Sequence, residues 1–353
     1  MRRCDVLVVG AGPAGSSAAL AAAKGGARVL MVDRKKEAGV PVQCAEFIPI
    51  PVLQRCSEAS GIICQSVTTM RTHLPDGEVV SMRSKGAICN RGRFDAYLAG
   101  RAVDAGAEVI RGASAFRLTN GVVLVNGGGV VWEIRPAVIV GADGPSSVVR
   151  QWMQLRRNDC VRGRQYLLPL GCKLETTEIY FHNQIPGGYG WLFPKGEVAN
   201  VGIGVEPRYE KSSLSILKNF VNELHGNKIL KDVKPLAVTG GLIPVGGPAK
   251  VWRGNIVLAG DAAGHCHPVS GAGIANAIFA GELAGEAAAL AAGRHDVSFL
   301  AEYQEACRLF LDGSLKRAAG KREFLAPFWG KGAKRLSAAL KKSWIAFEDY
   351  YQD

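Results

Sequence analysis

The chain has 353 residues, 48% of them hydrophobic and 21% charged, with a formal net charge of +12. That composition excludes a disordered chain, and the length supplies enough apolar side chain for two interleaved units. Nine scattered cysteines, odd in number and without a C-x-x-C pair, signal neither a disulfide framework nor a structural zinc site. The basic balance favours an anionic partner but does not choose among nucleic acid, a phosphate-bearing substrate and a membrane surface.

Residues 5–9 form an apolar run, 10–15 a glycine turn, 16–25 an alanine-rich helix and 27–32 a second apolar run. This is a strand, turn, helix, strand unit. The first run leads straight into glycines, so no signal peptide is read and a cytoplasmic protein with reduced thiols is expected. Within the unit, Gly10-Ala11-Gly12-Pro13-Ala14-Gly15 opens the helix and Asp33 ends the next strand. Gly10 permits the tight turn, Gly12 lets a pyrophosphate approach the backbone, Gly15 allows close helix packing, and Asp33 can accept hydrogen bonds from a ribose. The helix N-terminus adds a dipole that favours the anion. By itself this turn does not separate FAD from NAD.

Pro41, Pro49 and Pro51 forbid a helix through 39–51, which reads as an ordered loop. Phe94, Leu98, Ala102 and Ala105 recur at helical spacing, followed by a strand over 107–110 and alternating segments that end in the apolar run 137–140. From about 156 to 248 the chain is strand-like around one helix near 212–224. A buried strand at 255–258, a glycine-rich loop at 260–273 and a helix at 274–290 follow, and the last fifty or so residues are helical and basic. The alanine-rich stretch near 275–293 carries Glu282 and Glu286, so no transmembrane helix is predicted.

Two distant segments decide the cofactor. Gly141-Ala142-Asp143-Gly144 and Gly260-Asp261-Ala262-Ala263-Gly264 resemble the second and third fingerprints of the FAD-dependent hydroxylase superfamily, in which the later Asp contacts the ribityl chain. Arg91-Gly92-Arg93-Phe94-Asp95 resembles its R-x-x-F-D element, which implies that Arg91 lies on the pyrophosphate side. Gly271-Ala272-Gly273-Ile274, just before a helix, would present backbone N–H groups to the flavin ring. The resemblance implies FAD surrounded by Gly10, Gly12, Pro13, Ala14, Gly15, Asp33, Arg34, Cys44, Ala45, Phe47, Arg91, Ala115, Asp143, Gly144, Asp261, Gly271, Gly273 and Ile274. The expected fold class is α/β (α+β overall). A Rossmann-type FAD-binding domain (1–63, 90–155 and 249–295) would interleave with a β-sheet substrate domain (64–89 and 156–248), and a C-terminal helical segment (296–353) would follow.

Pro186-Gly187-Gly188-Tyr189-Gly190-Trp191-Leu192-Phe193-Pro194, followed by Gly202-Ile203-Gly204, resembles the P-x-x-Y-x-W-x-F-P…G-x-G signature of the geranylgeranyl reductase family. Pro41-Val42-Gln43-Cys44-Ala45-Glu46 is similar to that family's P-V-x-C-G-E stretch, with Ala45 in place of the more frequent glycine. The resemblance implies hydride transfer from reduced flavin to an isolated double bond of a polyprenyl lipid. Cys44, Tyr189 and Trp191 would be the catalytic residues, and Tyr189, Trp191 and Phe193 the walls for the chain. NAD(P)H or ferredoxin would supply the electrons. A flavin monooxygenase or protein-modifying flavoenzyme of the same fold, and a flavin electron-transfer subunit, are the competing readings.

His265 and His267 flank Cys266, but no carboxylate or second cysteine stands at ligand spacing, so they are read as hydrogen-bonded loop residues, with His267 a candidate proton relay, rather than metal ligands. The tail interleaves Lys316, Arg317, Lys321, Arg322, Lys331, Lys334, Arg335, Lys341 and Lys342 with Phe324, Phe328, Trp329, Leu336, Leu340, Trp344 and Phe347. Two readings compete for it: a peripheral membrane contact and a solvated helical cap on the substrate domain. Nucleic acid is not expected, since no recognition module is present.

Overall fold

The structure is a computed structural model that describes residues 1–56 and 61–352. Among the described residues the strands form two sheets of eight. The first is parallel at its centre, in the order β16 (Ile256–Leu258), β9 (Val130–Gly141), β1 (Arg2–Val9), β2 (Val29–Asp33) and β6 (Glu108–Arg111). The short β15 (Trp252–Arg253) pairs antiparallel with β16, and the hairpin β7 (Ala113–Thr119) and β8 (Val122–Gly127) extends from β9. The second sheet runs β14 (Ala237–Pro244), β10 (Cys160–Pro169), β13 (Val198–Val205), β12 (Gly190–Lys195), β11 (Thr177–Tyr180), β4 (Ile63–His73), β5 (Val79–Cys89) and β3 (Phe47–Pro49). Residues 47–49, assigned from sequence to the nucleotide unit, thus pair with β5 in the second sheet instead. Backbone pairing rather than side-chain pattern decides so short a strand.

Helices α1 (Pro13–Lys24), α3 (Arg91–Asp104) and α6 (Ile274–Arg294) pack together beside the first sheet, with the short α4 (Val148–Trp152) at its margin, while the short α2 (Ile50–Gln54) packs on β3 and β5 of the second sheet. On α6 the buried Ala277, Ala280, Ala284, Ala288 and Ala291 recur on one helical face. A Cβ on Gly285 would stand 2.9 Å from Ala18 Cα of α1, so the helices meet backbone to backbone. By length and a mean hydropathy of 1.2, α6 is apolar enough to cross a membrane despite Glu282 and Glu286. The packing explains the composition: the alanines serve the crossing with α1.

Side chains of the second sheet alternate between two faces. Tyr166, Leu168, Leu192, Val201, Ile203 and Val205 point to α5 (Ser213–Gly226) and form one core with Leu217 and Phe220. The opposite face carries Gln165, Trp191, Phe193, Asn200 and Gly202. It is covered by the tail, in which α7 (Leu300–Cys307) and α8 (Gly313–Leu325) run on through a π-helical turn at Arg308–Asp312 before α9 (Ala333–Ser343). Leu336, Leu340 and Trp344 are buried against Met70, Phe181 and Trp191, and the Trp344 indole N–H donates to Thr72 Oγ1 at 2.9 Å. These tail apolar residues are therefore a cap on the substrate sheet, while Lys334, Arg335 and Lys342 stay exposed.

Candidate active site

The glycine turn has the predicted geometry. Gly10 sits at φ +99°, where a Cβ would meet Ala142 C at 2.7 Å and Asp143 Cα at 3.0 Å, so the turn is pressed against the end of β9. Gly12 differs: a Cβ there meets nothing within 4 Å. The backbone above it is open at the N-terminus of α1, where unpaired N–H groups attract an anion. Pro13 starts that helix and gives up no hydrogen bond by doing so. Ala14 lies beside Gly260 of the later fingerprint, where a Cβ would stand 2.9 Å from the Ala14 methyl. Asp33 accepts from Ala11 N–H (2.6 Å) and Lys35 N–H (2.7 Å), which fixes its carboxylate at the rim of the turn with lone pairs left for a ribose. Arg34 is exposed beside it, and Ala115 is buried on β7.

The later fingerprints divide their work. Asp143 caps α4, accepting from Val148 N–H (2.7 Å) and Ser147 Oγ–H (2.5 Å), so its carboxylate is committed to the protein, while Gly144 follows at φ +80°. Asp261 accepts no hydrogen bond at its carboxylate among the described residues. Burial pushes that carboxyl up to about 6, with the Arg91 guanidinium pulling the other way. A half-buried acid without a partner suits the hydroxyls of a ribityl chain. Arg91 holds Asp95 through two 3.0 Å bonds, from Nε and Nη2. Gly271 N–H is already donated to His267 O (2.9 Å), so of the expected flavin-facing amides those of Gly273 and Ile274, at the start of α6, remain. The open backbone at Gly12, the fixed Asp33 and the unpartnered Asp261 fit FAD.

The Cys44 loop is clamped from the second sheet. Gln165 Nε2–H donates to Cys44 O (3.0 Å), Asn200 Nδ2–H to Ala45 O (3.2 Å), Gln43 Nε2–H to Gly240 O (2.8 Å), and Thr239 Oγ1–H to Val42 O. Trp191 completes the support: its indole N–H donates to Gln165 Oε1 at 2.8 Å. Trp191 lies directly across from Gly202 in the β12–β13 register, and its ring occupies the space a side chain on Gly202 would need. Only glycine leaves room for that ring, which is the physical content of the W…G-x-G spacing. With 7% exposure, Trp191 braces the Cys44 loop rather than offering an open wall.

Tyr189 and Phe193 are half-buried on the same face. The Tyr189 hydroxyl donates to Ser270 O (2.5 Å), joining the substrate sheet to the flavin loop, and burial pushes its phenol up. Its ring packs edge-on against Phe181 (5.8 Å) and Trp344 (5.4 Å), while Phe193 meets Phe47 at 6.4 Å. Burial likewise pushes the neighbouring Cys266 thiol up. The result is an apolar cluster of aromatic rings, with the Cys44 loop and the Tyr189 phenol beside the cofactor loops.

The histidines act within the protein. Ser270 N–H donates to His267 Nδ1 (3.2 Å), so the neutral ring carries its proton on Nε2 and donates to the Tyr350 hydroxyl at 3.0 Å. Burial lowers His267 to about 4, and His265, with both ring nitrogens unpartnered, to about 4 as well. Among the described residues no cluster could hold a metal ion. Sequence reasoning missed Gln165, Lys195, Asn200 and Glu46, which build the loop clamp. Asn200 had a signal, standing two residues before Gly202 on one strand face, whereas Gln165 had none without the strand pairing.

The comparisons agree with this geometry. Residues 159–243 match the family model described as geranylgeranyl reductase catalytic domain, and residues 5–39 one described as FAD dependent oxidoreductase. A digeranylgeranylglycerophospholipid reductase of Methanocaldococcus jannaschii is 35% identical over 85% of this chain and 81% of its own length. Digeranylgeranylglycerophospholipid reductase 1 of Methanopyrus kandleri is 38% identical over 85% of both chains. The crystal structure of a geranylgeranyl bacteriochlorophyll reductase-like protein from Thermoplasma acidophilum superposes with a TM-score of 0.84 at 26% identity, covering 98% of this chain and 97% of the other. A flavin-dependent brominase shares the fold alone, at 15% identity and a TM-score of 0.74 over 97% of this chain and 90% of its own. With the glycine turn, the clamped thiol loop and the Trp191–Gly202 pair in one molecule, and with relatives this similar over most of its length, this chain belongs to the geranylgeranyl reductase family of FAD-dependent oxidoreductases.

Proposed function

We propose that this enzyme reduces isolated carbon–carbon double bonds in the prenyl chains of a glycerophospholipid such as the one for which its relatives are named. The carrying observation is the clamped Cys44 loop, set between the cofactor loops and the aromatic cluster of the second sheet. When bound, FAD supplies hydride. The chain's own residues would hold it: the glycine turn and Asp33 would bind the adenosine diphosphate, Asp261 would take the ribityl hydroxyls, and the start of α6 would offer its amides to the ring. Tyr189 and Phe193 line the path of the prenyl chain, and the tail keeps water out. An unpolarised alkene needs a proton at the carbon opposite the hydride, and the Cys44 thiol is the donor we assign. The oxygen-activating reading is not favoured, because the segment that carries Tyr189, Trp191 and Phe193 is the one matched as a reductase catalytic domain.

Anaerobically reduced holoenzyme mixed with a geranylgeranyl phospholipid should add two hydrogen atoms per bond by mass spectrometry, and Cys44→Ser should keep FAD but lose most of this turnover. Product formed only in air, with hydrogen peroxide, would overturn the assignment. NAD(P)H or a ferredoxin is the proposed electron source, distinguished by which one reduces the bound flavin in stopped flow.

We further place the enzyme in the cytoplasm, peripherally on the membrane that holds its substrate. The exposed Lys334, Arg335 and Lys342, with Lys341 (paired to Glu78 at 2.6 Å), present the charge. Each contributes up to about 1 kcal/mol near anionic lipid, and salt screens it. Their joint replacement by Gln should weaken sedimentation with anionic liposomes and raise the apparent KM on membrane substrate, yet spare activity on detergent-solubilised lipid. Equal loss in detergent would make this face purely structural.

A further inference from the structure

The residue after Ala45 stands out on three counts. Glu46 is 2% exposed, and it sits at φ +72°, a left-handed conformation that glycine adopts without strain and glutamate does not. Its carboxylate gathers three donors from three separate elements: Arg91 N–H at the start of α3 (3.0 Å), Lys195 Nζ at the end of β12 (2.6 Å) and Asn200 Nδ2–H of β13 (2.7 Å). Its own N–H points back at Cys44 Sγ, 3.1 Å away. A glutamate held in strained backbone persists only when its surroundings over-determine it, and here its side chain provides that constraint.

We propose that Glu46 is the positioning residue of the redox site: its buried carboxylate, neutralised by Lys195, locks the turn that aims the Cys44 thiol. The functional consequence rests on the reading of Cys44 as the proton donor. The geometry has a direct corollary. Removing the carboxylate leaves Lys195 and Asn200 facing an empty space and frees the loop to open, whereas the glycine turn and Asp261 are untouched. Glu46→Gln keeps the volume but turns an amide NH2 toward donors, so it should act in the same direction. Lys195→Met leaves an uncompensated buried charge and should do so as well.

The test is alkylation of FAD-loaded protein by iodoacetamide, followed cysteine by cysteine with peptide mass spectrometry across pH. The exposed Cys64 and Cys172 serve as internal references. Glu46→Gly, which suits the φ, should retain FAD, raise the Cys44 rate about tenfold with an altered pH profile, and leave the references unchanged. Turnover should fall through kcat rather than KM. Glu46→Gln and Lys195→Met give the same readout should the glycine variant fold poorly. A Cys44 rate and profile equal to wild type in these variants overturns the proposal, as does parallel acceleration of every cysteine, which would mark Glu46 as a general pillar of the fold. If the Cys44 rate rises selectively yet Cys44→Ser keeps full turnover, the positioning role stands and the assignment of Cys44 as donor falls.

Discussion

Replacing Gly202 with alanine tests the packing that links the aromatic sheet face to the cofactor loop. The added methyl would lie 2.7 Å from Arg164 O and closer still to Cζ2 and Cε2 of Trp191. The backbone oxygen cannot withdraw without disturbing the β10–β13 ladder, so the indole must move. Overpacking a tight site of this kind costs about 1–3 kcal/mol. A displaced indole also loses its bond to Gln165, a buried pair worth about 1 kcal/mol net. The sum is about 2–4 kcal/mol, or about 3–5 °C in apparent melting temperature for a chain of this length. Holoenzyme melts followed by far-UV circular dichroism, with flavin absorbance as a second probe, measure it. The cause is isolated by repeating the substitution in Trp191→Phe, whose smaller ring leaves room. Gly202→Ala should then cost less by about 1 kcal/mol, the remainder belonging to Arg164 O. A Gly202→Ala protein as stable as wild type, or one equally destabilised in both backgrounds, would refute the account of the W…G-x-G spacing.

Two further predictions concern the cofactor site. Gly12→Val should fold normally but emerge colourless, because its side chain meets only a bound ligand, whereas Gly15→Val should fail to fold, since a Cβ there collides with Gly10 O; absorbance near the flavin bands and circular dichroism separate the outcomes, and a yellow Gly12→Val protein would sink the reading. Burial raises Asp261 from 3.8 to about 6, so the ligand-free fold favours its protonated form. That stabilisation is fully present below 3.8 and disappears as pH rises through about 6. Ligand-free wild type should therefore lose melting temperature relative to Asp261→Asn between those values, and a difference that stays constant across the window would show that Asp261 does not titrate there.

The nucleotide half of the site was legible in the chain because its determinants are local. Gly10, Gly12, Pro13 and Gly15 act through backbone turn geometry and a helix start within six residues, and Asp33 is brought to them by one parallel strand pairing. Cys44 and the Tyr189–Trp191–Phe193 run were legible as motifs, but the bonds that hold them in place were not. Trp191 looked like a wall and is a brace, since only the β12–β13 register sets it against Gly202 and only β10 brings Gln165 to its N–H. Asp143 was legible as a fingerprint residue, and its carboxylate also accepts from the first turn of α4, a local bond with the same sequence signature. For the apolar tail the chain left a lipid contact and a helical cap both open, and only the fold shows that Leu336 and Leu340 of α9, with Trp344 after it, cover Met70 and Phe181, more than 150 residues earlier in the chain. Local sequence determines turns, helix starts and strand alternation because those are settled over a few neighbouring residues. Which face a side chain shares, and with which distant strand, depends on tertiary pairing, and that alone made Glu46 a buried hub rather than an exposed acid.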